Sequence, residues 1–87
     1  MTTKEILAQR LFQLREEAKI TRQKAADDLG VTRAALEFYE KGKRTPDVSM
    51  IPRLAQYYGV TTDYLLGMDI KDSPARNWLT MRFERLR

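Results

Sequence analysis

Residues 21–40, TRQKAADDLGVTRAALEFYE, decide the fold of this chain. They read as two short helices joined by a tight turn at Gly30. Thr21 and Thr32 each stand where a hydroxyl can cap a helix start, because the side-chain oxygen accepts from an otherwise orphaned N–H. Leu29 ends the first helical run, and Gly30 follows where a left-handed backbone costs glycine little. Ala26 lies four residues before Gly30, and Leu36 lies six after it. The small residue lets the two helices approach, the glycine makes the corner, and the branched residue plugs the gap between them.

Working outward, Ile6, Leu7, Leu11, Leu14 and Ala18 recur at helical spacing and predict a first helix over residues 3–18. Helix 2 is expected over 22–29, with Ala25, Ala26 and Leu29 apolar, and helix 3 over 33–40, with Leu36 and Tyr39 inward. Residues 41–48 form a polar loop. Pro52 is tolerated only in a first turn, which places the cap of helix 4 at Ser49 and runs the helix to Gly59. Thr61 caps a fifth helix over 62–66, where Asp63 suits the helix dipole and Gly67 is the stop. Ser73-Pro74 is a further helix-start signal. Beyond it Ala75, Trp78, Leu79, Phe83 and Leu86 predict a sixth, amphipathic helix. The expected architecture is all-α: a compact five-helix domain over 1–67, then a linker and C-terminal helix over 68–87.

Composition bounds the function. The chain has 87 residues, enough for one small domain, and 43% of them are hydrophobic. Cysteine and histidine are both absent, which removes disulfides, thiolate metal ligands, the commonest general base and most zinc sites. No paired carboxylates stand at a plausible catalytic site, so an enzyme is not expected, nor is a cofactor or metal. No apolar run reaches the length of a membrane span and no signal-peptide pattern opens the sequence, which points to a cytoplasmic protein without membrane partners. The net charge of +4 is modest, but Lys41, Lys43 and Arg44 cluster just after the 21–40 unit, and Arg22 and Lys24 open its first helix.

At residues 21–40 the chain resembles the lambda-repressor-like helix-turn-helix domains of the Cro/repressor (Xre-like) family. The resemblance continues through EKGKRTP (40–46) and LAQYYGVTTDYLLG (54–67), and begins upstream at RLFQLREEAKIT (10–21). It implies a sequence-specific DNA-binding transcription regulator of bacterial or phage type, a dimeric repressor whose helix 3 enters the major groove of double-stranded DNA at an inverted-repeat operator.

By position, Arg33, Ala34, Glu37 and Phe38 match the family residues that face base edges, with Thr32 at the helix start. Arg33 can donate two bonds to guanine O6 and N7, or pair with Glu37 one turn later. Ala34 can touch a thymine methyl. Glu37 can accept from cytosine N4 or repel phosphate in a wrong register. Phe38 can meet a thymine methyl or pack on the 41–45 loop. Phosphate contacts are implied for Arg22, Gln23, Lys43, Arg44, Thr45 and the Ser49 end of helix 4, since helix N-termini attract anions. The resemblance also implies that Arg15 and Glu40 form a structural ion pair locking helix 3 to helix 1.

The C-terminal stripe of Trp78, Leu79, Phe83 and Leu86 has three readings: packing on the chain's own helices, a homodimer interface, and a membrane-surface helix. The two-fold dimer is favoured. Two rival functions use the same fold. One is an antitoxin that binds DNA through helix 3 and a toxin through another surface, such as the C-terminal helix. The other is a protein-interaction adaptor that binds no DNA.

Overall fold

A computed structural model describes residues 1–68. The expected sixth helix and its apolar stripe lie outside the described residues. Within them the chain is all-helical: α1 (Thr3–Glu17), α2 (Arg22–Leu29), α3 (Arg33–Glu40), α4 (Met50–Tyr58) and α5 (Thr62–Leu65). Three expected ends move inward. α1 stops at Glu17, with exposed Ala18 as its cap rather than part of its apolar stripe; α4 stops at Tyr58, and α5 at Leu65.

Local chemistry sets most helix starts. Thr2 and Glu5 make a reciprocal capping box at α1, the Thr2 hydroxyl accepting from Glu5 N–H and a Glu5 oxygen from Thr2 N–H. Thr21, Thr32 and Thr61 sit in extended backbone and accept from Lys24, Ala35 and Tyr64 N–H at 3.1, 3.0 and 3.0 Å. Ser49 does not follow this rule. Its backbone is already right-handed helical (φ −74°, ψ −26°) and its hydroxyl makes no cap. The Asp47 carboxylate accepts instead from Met50 N–H at 2.9 Å and from the Ser49 hydroxyl at 2.8 Å. Ser49 thus holds the N-cap position of α4, where the sequence places it, but the capping bond comes from the Asp47 carboxylate and not from the Ser49 hydroxyl.

One tripeptide builds two corners. Gly30-Val31-Thr32 and Gly59-Val60-Thr61 each place glycine in the left-handed region (φ 73° and 70°). Each then returns a valine N–H to an alanine carbonyl, Val31 to Ala26 at 3.0 Å and Val60 to Ala55 at 2.9 Å, before the threonine caps the next helix. The end of α1 uses the same bonding without glycine. Lys19 takes φ 57°, while Lys19 and Ile20 N–H return to the Glu16 and Arg15 carbonyls.

The core joins all five helices. Leu7, Leu11, Ala25, Ala26, Leu29, Leu36, Leu54, Ala55 and Leu65 are buried together, with Leu14, Ile20, Val31, Tyr39, Met50, Tyr57, Tyr58 and Val60 packed partly against them. α1 packs on α3 and α5, α2 on α3 and α4, and α4 on α5. Ala26 and Leu36 are both fully buried at the α2–α3 corner. Burying one such leucine contributes about 1.5–3 kcal/mol, so the corner that orients α3 is held by the same contacts that make the core.

Candidate nucleic-acid interface

α3 buries one face and offers the other. Leu36 and Glu40 point into the molecule, whereas Thr32, Arg33, Ala34 and Phe38 are exposed and Glu37 is half-buried beside them. The helical period puts Arg33 and Glu37 one turn apart on the open side.

The inward end of α3 is clamped by charge. Arg15 Nε donates to Glu40 Oε2 at 2.8 Å and Arg15 Nη2 to Glu40 Oε1 at 3.1 Å, a forked pair. The two side chains are only 7% and 1% exposed. The hydrogen bond to Glu40 raises the Arg15 guanidinium above its ordinary range, against the opposing effect of burial. Arg15 Nη1 also donates to the Ile20 carbonyl at 3.0 Å, tying in the turn before α2. Arg22 joins the cluster, its Nε and Nη2 both 3.2 Å from Glu40 Oε1.

Arg22 therefore faces α3 rather than standing open. Its Nη1 lies 3.7 Å from Glu37 Oε1, and the same oxygen is 3.0 Å from Lys41 Nζ. The Lys41 hydrogen bond first, and the charges of Lys41, Arg22 and Arg33 after it, hold the Glu37 carboxyl below the usual carboxylate range. The Arg33–Glu37 ion pair weighed from the sequence does not form: Glu37 pairs with Lys41 and Arg22. Arg33 is exposed and makes no hydrogen bond or ion pair among the described residues. Such a guanidinium can donate two parallel bonds to a planar acceptor pair.

The basic loop is fixed to the end of α3. Lys43 and Arg44 N–H both donate to the Phe38 carbonyl, at 2.9 and 3.3 Å. The Arg44 guanidinium lies 5.7 Å from the centre of the Phe38 ring, so Phe38 is 38% exposed and still carries the loop on one side. Lys43, Arg44 and Thr45 are exposed next to the open face of α3. Gln23 is exposed too, but its amide donates to Asp27 at 2.9 Å. Ser49 is exposed at the start of α4, where Asp47 occupies the Met50 N–H and is held below the ordinary carboxylate range by its bonds to Ser49 and Met50.

Three positioning contacts escaped the sequence reading. Arg53 Nη2 donates to the Leu29 carbonyl at 2.7 Å, pinning α4 to the corner before α3. The Tyr57 hydroxyl donates to Asp28 at 2.6 Å, which, after desolvation, helps push that phenol up to about 12. Arg10 lies over the Tyr64 ring at 4.2 Å and donates to the Tyr64 carbonyl. None of the three has a local signal, because each joins two helices far apart in the sequence.

The family model described as helix-turn-helix matches residues 11–65. The chain is 40% identical over 63 residues to the HTH-type transcriptional regulator ImmR of Bacillus subtilis (strain 168), covering 72% of this chain and 50% of that one. It is 38% identical over 61 residues to the uncharacterized HTH-type transcriptional regulator YqaE of the same organism, covering 70% and 53%. It is equally 38% identical over 61 residues to the SPbeta prophage-derived uncharacterized HTH-type transcriptional regulator YonR, also of that strain, covering 70% and 56%. The chain thus spans about half the length of the curated relatives it matches. With a match running from α1 to α5 and the corner at Gly30 inside it, the chain belongs to the helix-turn-helix family.

Proposed function

We propose that this protein is a sequence-specific DNA-binding transcription regulator, a dimeric repressor whose α3 enters the major groove at an inverted-repeat operator. The carrying observation is the open face of α3, where exposed Arg33 has no hydrogen bond or ion pair among the described residues while the opposite face is locked by Leu36 and Glu40. A rigid helix with an unspent guanidinium at its start is suited to base readout. Lys43, Arg44 and Thr45 supply phosphate contacts that set register without reading sequence. The names of the relatives, HTH-type transcriptional regulators, support the same reading.

In this reading residues 1–67 are the DNA-binding domain and 68–87 serve self-association. Two copies of α3 set about 34 Å apart address half-sites one helical turn from each other. The test is fluorescence anisotropy of the 87-residue chain on random-sequence duplex across a salt series. Affinity falls steeply as salt rises, because displaced counterions drive binding. Salt-independent or absent binding overturns the reading in favour of a protein-interaction adaptor.

A further inference from the structure

Deepening the proposed function, and resting on it, we infer that Glu37 is a base-reading residue that selects cytosine in the operator, with Arg22 and Lys41 holding its carboxylate in place. Glu37 sits one turn after Arg33 on the open face of α3. Both basic neighbours approach the same oxygen, Oε1, Lys41 Nζ at 3.0 Å and Arg22 Nη1 at 3.7 Å. The carboxylate is thus anchored through one oxygen on the reading face.

The chemistry of the carboxylate decides what it can meet. The carboxyl is held below its usual range, so at neutral pH it is an anion that accepts and cannot donate. In the major groove guanine presents two acceptors and thymine presents O4, and both repel it. Adenine offers its N6 amino group but sets the N7 acceptor beside it. Cytosine offers the N4 amino group without that neighbour. Arg22 and Lys41 also offset the repulsion between this carboxylate and the phosphates, which an isolated glutamate at the groove would suffer in full. Arg22 is itself anchored by Glu40, so Glu37 is steadied from the core side as well as along its own helix.

The experiment is selection of binding sites from random duplex DNA by the full 87-residue wild type, Glu37→Gln and Glu37→Ala, with thermal melts to show that the variants fold. Wild type fixes cytosine at one position in each half-site, by roughly five- to a hundredfold over other bases. Glu37→Gln moves that position toward adenine, since an amide can donate to N7 while accepting from N6. Glu37→Ala levels it and leaves the remaining positions unchanged. Two results overturn the inference alone while sparing the proposed function: selected sites with no cytosine that responds to Glu37, or identical profiles for all three proteins. A wild type that selects no sequence at all overturns both.

Discussion

Arg15 and Glu40 form a buried, forked ion pair, 2.8 Å from Nε to Oε2, that fastens the end of α3 to α1 and is shared at 3.2 Å by Arg22 of α2. One carboxylate thereby holds three helices. Burying charge is costly, and a buried pair is a weak source of net stability. Its effect here is on geometry, because α3 cannot tilt without breaking the fork.

Glu40→Ala leaves two arginines facing each other around an empty site, and is expected to cost about 3–5 kcal/mol. Arg15→Ala costs less, because Arg22 still partners the carboxylate. Arg22→Ala costs least, about 1 kcal/mol, since its side chain is more open. Urea melts of the three variants check that order. Equal losses contradict a cluster centred on Glu40.

The Tyr58 hydroxyl is buried without a hydrogen-bond partner among the described residues. Removing an unsatisfied buried group relieves its desolvation, so Tyr58→Phe is neutral or stabilising by up to about 1 kcal/mol. Calorimetry at neutral pH measures this.

The same phenol predicts an alkaline effect. Desolvation, then the nearby Glu40 charge, push Tyr58 up to about 12, and Tyr57 rises equally through desolvation and Asp28. Both folded values lie above the unfolded value of about 10. The stability this carries is complete below pH 10 and is lost as pH climbs from there through 12, because the unfolded chain releases those protons first. Wild type therefore loses more stability over that window than a Tyr57→Phe, Tyr58→Phe double variant. Parallel curves contradict the assignment.

Lys19 occupies a left-handed position, φ 57°, at the end of α1. A side chain there costs about 1–2 kcal/mol, part of which glycine returns as unfolded-state entropy. Lys19→Gly is expected to raise stability by about 0.5–1 kcal/mol. Gly67→Ala acts in the opposite direction. Its φ is 75°, and an added Cβ would stand 3.0 Å from Ile6 side-chain carbons. Thermal melts distinguish the two signs.

Lys43→Ala with Arg44→Ala is expected to weaken all duplex DNA about equally and to flatten the salt slope by about 2. Loss confined to one sequence contradicts a phosphate-contacting role for that loop.

Much of the fold was legible because it follows local rules. Thr21, Thr32 and Thr61 cap because hydroxyls in extended backbone satisfy nearby N–H groups, and Gly30 and Gly59 turn because they tolerate positive φ. Asp47 and Ser49 both carry cap chemistry, so the choice between them depended on backbone angles that composition does not encode. The site was legible in outline, since helical spacing separates the Leu36 side of α3 from the Arg33 side. Its wiring was not. Arg22 reaching Glu40, and Arg53 reaching the Leu29 carbonyl, are contacts between helices whose packing must exist before the partners meet.

The most direct test of the account is site selection from random duplex DNA by wild type and Arg33→Ala. The expected result is an inverted repeat with half-site centres about 10 base pairs apart, and an Arg33→Ala profile that loses guanine preference at one position per half-site and keeps the rest. An Arg33→Ala profile identical to wild type would contradict base readout by Arg33.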